Sequence, residues 1–413
     1  MANTSETKPT KSRAFTGLAW FVFFIGILMV FGRISLRLGK DINWDVKNYH
    51  YYNAYAFIEH RQDIDIEPAQ LQTFFNPILD LPFYWMAQHF PARVAGFVLG
   101  FVHGLNFVLI FLIFWNISSY SNQRWKFICG ICIASMAVIA PGFISEIGNT
   151  MNDNLTSLFV LGALLLLILA PTSLNQGKTR RGLLLIGSAG LLLGLGVGLK
   201  PTVGIFAIAS ALALTFSLSS WQNKITALAT YGITGLTGAL VSAGFWWWHL
   251  FTRYGNPLLP FYNNIFKSPY IAPLVFTDTR FLPRQIWEYF VWPLVFTWNA
   301  LRVNEAIFFD IRFALLYLLL LSWLVVSVVK KFRSAGQQKT DQGPSLIFER
   351  KSGNFLLIFF CIAFVLWMVQ FSIYRYIIPL ELLLPLCFLI ILERMIRSRN
   401  LQIAIALSAS VTS

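Results

Sequence analysis

The sequence predicts an all-α, polytopic integral membrane protein with about 10–11 transmembrane helices. Three observations support this fold class. Hydrophobic residues make up 56% of the 413 positions, whereas charged residues make up only 12%, about half the share found in soluble domains. Apolar stretches of spanning length recur along the whole chain, and basic residues gather in alternate connecting segments. This composition excludes a soluble globular enzyme, a disordered protein and a disulfide scaffold.

The first predicted span runs from Ala14 to about Leu38. It is too long for the apolar region of a signal peptide, so we interpret it as a retained helix. A last apolar stretch, Leu401 to Ser413, is too short to cross a bilayer at ~1.5 Å per residue. The other predicted spans are 93–116, 126–144, 155–170, 182–199, 202–218, 226–249, 307–329, 354–371 and 376–392.

Loop charge predicts the orientation of these spans. If the basic N-terminus is cytoplasmic, every second loop should also be cytoplasmic and basic. Each of the predicted cytoplasmic loops does contain basic residues. Most carboxylates then fall on the external side. We therefore attribute the net charge of +14 to the basic cytoplasmic loops of a membrane protein, and we predict no nucleic acid as a partner. The basic loops contain Arg124 and Lys126, then Lys178 to Arg181, then Lys224, then Lys330 to Lys351, and finally Arg394 to Arg399.

We predict one transmembrane catalytic domain, 1–413, with two long external loops. The first loop, 39–91, contains an apolar and aromatic piece, Pro77–Phe90, that is typical of a helix lying in the membrane interface. The second loop, 252–306, is rich in proline and aromatic residues. We expect it to form an ordered lid over the outer face.

Asp45 follows the first span closely, in the stretch Asn43–Asn53 with its Tyr and His residues. Aromatic and amide neighbours near the lipid headgroups can raise the pKa of such a carboxyl toward that of a general base. On a helix, Asp45, Asn48, Tyr49 and Tyr52 would share one face. A solvated acid within an aromatic belt is an equally good interpretation of the same residues.

Two more carboxylates occur in a short external turn, at Glu146 and at Asp153. Asp153 opens the next span, where the simplest role is that of an N-cap. Alternatively, Glu146 and Asp153 line the same outer cavity as Asp45 and orient a cation, a sugar hydroxyl or an amine.

Several basic residues lie at the predicted external ends of membrane helices, although basic residues usually favour the cytoplasmic side. Lys200 in Lys200-Pro201-Thr202 is either a lysine that reaches for the interface or a phosphate ligand. Arg375, in Tyr374-Arg375-Tyr376, also breaks the bias. A lipid-linked phosphate would explain these positions. His50 is the only histidine close to Asp45, and the four cysteines form no metal or redox motif.

Taken in this order, the motifs resemble the GT-C superfamily of polyprenyl-phosphate-sugar-dependent glycosyltransferases, which includes protein O-mannosyltransferases and lipid A aminoarabinose transferases. The motifs that carry the resemblance are Asp45 after the first helix, Asn152-Asp153-Asn154 at the head of the fourth, Lys200-Pro201-Thr202, and the run from Arg375 through Tyr376 to Pro379. Each is short, and the likeness rests on their order and sidedness.

The resemblance implies a GT-C-like fold in the bacterial inner membrane, with an active site that faces the periplasm. Asp45 would be the catalytic base of an inverting transfer, and Asp153 a second catalytic acid that positions the acceptor or a metal. Lys200 and Arg375 would hold the donor phosphate, while Tyr49, His50 and Glu146 would contact substrate. The partners would be a polyprenyl-phosphate sugar and a glycan, lipid or protein acceptor. Asp45 is followed by Val46 rather than by a second acid, which leaves the need for a divalent metal ion open.

Two other classes of function remain open. A transporter or flippase of a lipid-linked sugar would also use many helices and external cations, although transporters usually carry charges near mid-membrane and show related halves. A surface-polysaccharide polymerase or ligase would use arginines in a large external loop, and Arg253, Arg280, Arg284 and Arg302 lie in the second loop.

Overall fold

The computed structural model describes residues 10–62, 64–65, 67–175, 178–274, 276, 278–333 and 347–395. The predicted all-α class is confirmed, because helices make up 77% of the structure and these ranges contain no β-strand. The stretch Leu401–Ser413 and most of the polar loop 330–351 lie outside the described residues. Where residues 118 and 348 approach each other, they form one isolated β-bridge.

The helices of the described ranges are short in the two long loops and, apart from Pro141–Ser145, longer elsewhere. They are α1 Thr10–Leu38, α2 Tyr51–Ile58, α3 Leu81–His89, α4 Ala92–His103, α5 Leu105–Ile117, α6 Gln123–Val138, α7 Pro141–Ser145, α8 Asp153–Asn175, α9 Thr179–Leu199, α10 Gly204–Ser217, α11 Trp221–Tyr254, α12 Asn263–Phe266, α13 Glu288–Trp298, α14 Arg312–Arg333, α15 Arg350–Gln370 and α16 Ile378–Met395. A π-helical turn spans Val46–His50, and 3₁₀ turns span Gln70–Phe74, Pro77–Leu79, Pro201–Val203, Ala300–Arg302 and Tyr374–Ile377.

Eight helical segments of the described chain are long and apolar enough to cross a membrane, which fits an integral membrane protein. The sequence predicted about 10–11 spans, and two of its ten full-length spans correspond to shorter helices. The predicted span 126–144 is broken because α6 ends at Val138 and Pro141 starts the separate helix α7. Proline lacks the amide that would continue the helix. The predicted span 202–218 is the short apolar segment Pro201–Ser217.

Helices α9 and α11 pack closely through small residues, and this contact fixes the end of α9. A Cβ atom at Gly194 would lie 1.9 Å from the Gly235 carbonyl oxygen, and one at Gly198 would lie 2.8 Å from the Ala239 carbonyl oxygen. Only glycine allows the two backbones to approach this far, as in other membrane helix pairs. The residue after α9 is Lys200, so the glycine contact determines where that lysine lies.

The first loop is attached to this pair of helices. The Asn76 side chain donates to the carbonyl oxygens of Gly198 at 3.0 Å and Ser242 at 2.9 Å. Trp246 of α11 donates to the carbonyl oxygen of Phe74 at 2.9 Å. These bonds hold the segment before α3 against α9 and α11.

The second loop starts later than predicted, because α11 continues to Tyr254 and ends at Gly255 with a positive φ of 72°. Glycine adopts this left-handed conformation without steric cost, which makes it a common helix end. The next spanning helix, α14, begins at Arg312, whereas the sequence placed the start at 307. Between these points the described residues form α12, α13 and a 3₁₀ turn.

Candidate functional site

The seven predicted site residues lie at one end of the bundle, on segments that connect its helices. Asp45 precedes the π-helical turn that contains Tyr49 and His50. Glu146 follows α7, Asp153 opens α8, and Lys200 follows α9. Arg375 lies in the 3₁₀ turn before α16. Contacts among these segments bring together residues that are hundreds of positions apart in the chain.

Arg375 connects the two predicted catalytic carboxylates. Its Nη1 donates to Asp45 Oδ2 at 2.8 Å, across 330 residues of sequence. Its Nε lies 3.9 Å from Asp153 Oδ2. The side chain of Asp153 is only 4% exposed and that of Asp45 is 13% exposed, so these charges interact in an environment with little water. The guanidinium also lies over the Tyr376 ring.

Lys200 supplies the second cation. Its Nζ donates to Asp153 Oδ1 at 2.5 Å and to the Met151 carbonyl oxygen at 2.8 Å, and it lies 5.4 Å from the centre of the Tyr376 ring. Lys200 therefore turns inward, in contrast to the simpler interpretation of a lysine that reaches for the interface. We name the four groups Asp45, Asp153, Lys200 and Arg375 the ion cluster.

Glu146 lies beside the ion cluster and is fully buried. Its Oε2 accepts a hydrogen bond from the Asn154 amide at 3.3 Å, so Glu146 satisfies one of the free amides at the start of α8. The simpler expectation had given this capping role to Asp153, whose carboxylate bonds to Lys200. Burial raises the pKa of Glu146 well above its usual range, and the Asp153 charge adds to the rise while Lys200 and Arg375 oppose it.

His50 belongs to a second group of buried polar residues. Its Nδ1 lies 2.7 Å from Asp80 Oδ1, which also accepts from Asn152 Nδ2 at 2.9 Å. The His50 and Asp80 side chains are each 6% exposed. Burial raises the pKa of Asp80, against the opposing effects of His50, Asn152 and Lys200. Asn152 precedes Asp153 directly, so this group adjoins the ion cluster.

Tyr49 lies between the ion cluster and the His50–Asp80 group, whereas Tyr52 contacts neither of them. Tyr49 is buried, and burial together with the Asp45 charge raises the pKa of its hydroxyl. Its ring lies 4.1 Å from that of His50. Tyr52, expected on the same helical face as Asp45, instead donates to Asp65 at 2.5 Å. The π-helical turn over Val46–His50 adds a residue to the helical repeat and changes which side chains share that face.

The sequence interpretation did not identify Asp80 as a site residue. A signal was present, because Asp80 is the one charged residue in the apolar piece Pro77–Phe90. A buried network around Tyr374 was also missed. The Tyr374 hydroxyl lies 2.6 Å from Asp310 Oδ2 and 2.8 Å from Glu381 Oε1, and Arg312 contacts both carboxylates. Glu381 inside an apolar helix is the signal that would have found it.

This network holds the turn that carries Arg375. Glu381 accepts hydrogen bonds from the amides of Gly142 at 3.1 Å and Phe143 at 3.0 Å, which lie at the start of α7. Tyr374 and Arg375 are consecutive residues of one turn. The network therefore ties that turn to α7, α14 and α16, and it fixes the direction from which Arg375 enters the ion cluster.

The residues of the ion cluster do not fit a divalent metal ion. Asp45 and Asp153, the two carboxylates that would have to coordinate it, are each paired with a cation. In the part of the chain that the structure describes, no group of three or more His, Cys, Asp or Glu side chains is arranged to hold a metal. The opposite charges of the cluster suit an anionic ligand better, because the two cations can exchange a carboxylate for a phosphate.

Comparisons of the chain with protein-family models, with curated proteins and with solved structures give no match. The resemblance to the GT-C superfamily therefore stays a prediction from short motifs. What the site does has to be inferred from the chemistry of its side chains.

Proposed function

We propose that this protein is a glycosyltransferase that moves a sugar from a polyprenyl-phosphate-linked donor to an acceptor hydroxyl or amine of a glycan, a lipid or a protein. The observation that supports the proposal most directly is the ion cluster. Two cations and two carboxylates from four separate connections converge at one end of a bundle of apolar helices. At such a place a lipid-anchored phosphate and an acceptor from the aqueous side could meet.

Lys200 and Arg375 would bind the donor phosphate. A sugar joined to a polyprenyl phosphate is a phosphodiester with one negative charge, and a second charge develops on the phosphate when the sugar leaves. Cations already aimed at that position stabilise the developing charge and need no reorganisation. Arg375 offers a planar set of donors and Lys200 a compact charge, so together they surround an oxyanion from two sides.

Asp45 is the base that the sequence predicts for this reaction. Its Oδ2 is bonded to Arg375, so Asp45 could act as the base only if the donor phosphate displaced it from the guanidinium. The freed carboxylate would then have to lie where the acceptor is deprotonated. Direct displacement at the sugar C1 atom would then invert the anomeric centre.

The distribution of basic residues among the connecting segments supports an orientation for the site. The ion cluster lies at the end of the bundle opposite to the basic segments at 124–126, 178–181 and 224, and basic segments favour the cytoplasmic side. The active site would accordingly face the periplasm, with the second loop as its lid. The substrate would approach from the outer leaflet.

The test is transfer by purified protein in lipid vesicles. Undecaprenyl phosphate carrying labelled mannose, glucose or aminoarabinose is supplied, and release of the label from the lipid is measured with water or a bacterial envelope extract as the acceptor. We expect Lys200→Met and Arg375→Gln each to raise the donor KM at least tenfold. Lys47→Met, an exposed lysine of the first loop, is the matched control and should behave as wild type.

The outcomes separate this proposal from its alternatives. Movement of intact donor lipid across the vesicle membrane without release of sugar would identify a flippase. Activity only with pyrophosphate-linked oligosaccharides would identify a polymerase or ligase.

A further inference from the structure

The Asp80–His50 pair has the arrangement of an oriented imidazole base. Asp80 Oδ1 lies 2.7 Å from His50 Nδ1 and accepts a hydrogen bond from the Asn152 amide group at 2.9 Å. An ionised carboxylate can only accept a hydrogen bond, so in this position it selects the imidazole form that carries hydrogen on Nδ1. The lone pair of His50 is then on Nε2, at the opposite side of the ring.

That Nε2 atom is buried and has no hydrogen-bond partner among the described residues. Leaving a buried polar atom without a partner costs about 1–3 kcal/mol. Native sites rarely keep such an atom unless a ligand or a water completes it. His50 is therefore a fixed hydrogen-bond acceptor that lacks its donor, and a hydroxyl group of a substrate is a donor of the right chemistry.

Two neighbouring residues, Asn152 and Tyr49, link the Asp80–His50 pair to the ion cluster. Asn152, which holds Asp80, is joined by one peptide bond to Asp153 of the cluster. The ring of Tyr49 lies against His50, and the charges of Asp45 and Arg375 act on its hydroxyl. An acceptor hydroxyl at His50 would thus be close to a sugar whose phosphate is held by Lys200 and Arg375.

We propose that His50, oriented by Asp80, is the group that accepts the proton of the acceptor hydroxyl, while Asp45 stays with Arg375 as part of the donor phosphate site. This inference rests on the proposed function and names the base of that reaction. The acceptor oxygen forms its bond to the sugar C1 atom as the bond between C1 and the phosphate oxygen breaks. The electron pair of the broken bond goes to the phosphate, and the proton goes to His50 Nε2.

Asp80 is a positioning residue in this step, since it acts through His50. Its carboxylate keeps the ring in one tautomer and stabilises the imidazolium that forms, as the buried aspartate does in hydrolase triads. Among the titratable groups, Asp80 on the segment before α3 pairs with His50, and Tyr49 lies beside its ring. Lys200 at the end of α9 acts on Asp80, and Asp45 and Arg375 act on Tyr49.

The first experiment measures the tautomer without any substrate. Nitrogen-15 NMR of the five histidines in wild-type protein, with His50→Gln to assign the His50 signals, distinguishes a protonated from a bare ring nitrogen. We expect protonated Nδ1 and bare Nε2, and loss of this preference in Asp80→Asn. A proton on Nε2 of wild-type His50 would overturn the proposal, because that atom could then not accept another.

The second experiment measures transfer with the labelled undecaprenyl-phosphate sugars. His50→Gln should lower kcat by 10²–10⁴-fold, the usual contribution of a general base, with the donor KM unchanged. Asp80→Asn should also lower kcat and shift the pH profile, and it provides the test if His50→Gln does not fold. His89→Gln, an exposed histidine on α3, is the matched control. Asp45→Asn should act mainly on the donor KM.

The two proposals fail in different ways. If wild-type protein transfers sugar and His50→Gln keeps kcat within threefold, the base is not His50 and the glycosyltransferase assignment stands. A large kcat loss in Asp45→Asn together with a wild-type kcat in His50→Gln would return the base to Asp45. If wild-type protein releases no sugar from any of the three donors, the proposed function fails and the role of His50 fails with it.

Discussion

Removal of the Lys200 charge gives a direct test of the ion cluster. In Lys200→Met, the carboxylate of Asp153 loses the donor at 2.5 Å and keeps only Arg375, whose Nε is 3.9 Å away. The Asp153 side chain is only 4% exposed, so water compensates the loss of the lysine poorly. Methionine has a similar length and an apolar end, which limits the change to the lost charge and its hydrogen bonds.

The expected magnitude follows from these contacts. Removing one partner of a buried ion pair costs about 3–5 kcal/mol, because the other charge is left without compensation. Arg375 still neutralises part of the Asp153 charge, so we expect the lower end, a loss of about 3 kcal/mol in the free energy of unfolding. In the double variant Lys200→Met with Asp153→Asn no uncompensated charge remains, and the loss should shrink to about 1 kcal/mol.

The assay is equilibrium unfolding in mixed micelles, with increasing dodecyl sulfate, for wild type, both single variants and the double variant. Lys47→Met, which changes an exposed lysine, controls for the general effect of losing a positive charge. A double-mutant cycle gives the coupling energy between the two side chains. If the losses of the single variants simply add in the double variant, the two groups do not interact and the ion cluster is not formed as described.

Three further predictions concern packing, pH and orientation. Gly194→Leu should destabilise the bundle by several kcal/mol in the same assay, because even a Cβ there meets a carbonyl oxygen of α11 at 1.9 Å, whereas Gly26→Leu, with open space, should not. The raised pKa of Glu146 means that the folded state binds this proton more tightly than the unfolded state, so stability should fall as pH rises above the ordinary value of 4.5. Glu146→Gln should remove this contribution, and an unchanged pH slope would contradict it. A membrane-impermeant maleimide should label Lys47→Cys on intact cells and Arg124→Cys only after permeabilisation, against the wild-type background, and the reverse pattern would refute the orientation.

The helical architecture was largely predictable because the bilayer demands long apolar segments with internally satisfied backbones. The spans at 93–116, 155–170 and 226–249 all correspond to spanning helices of the structure. Hydropathy alone gave the wrong extent at 126–144. An apolar window does not reveal that Pro141 separates two helices, since proline changes the backbone without lowering the hydrophobicity of the stretch.

Which charged residues gather at this end of the bundle was predictable in part, whereas their contacts were not. Carboxylates and cations at predicted helix ends identified Asp45, Asp153, Lys200 and Arg375 as candidates, because unusual charge at a membrane surface requires a partner. Spacing along the chain could not show that Arg375 pairs with Asp45 across 330 residues. Such a contact depends on how the helices are arranged around one another, and this arrangement is set by close packing such as that of α9 on α11.

The contacts of the two candidate bases separate them where the balance of charge does not. During transfer the phosphate gains one negative charge, and whichever group takes the acceptor proton gains one positive charge, so the net charge of the region stays constant with either base. Asp45 Oδ2 is bonded to Arg375, so protonation of that oxygen would require it to leave the guanidinium. His50 Nε2 has no hydrogen-bond partner among the described residues, so it can take the proton without breaking a contact. A proton on Asp45 would remove the carboxylate that neutralises Arg375, whereas a proton on His50 leaves the Asp45–Arg375 pair intact and is stabilised by Asp80.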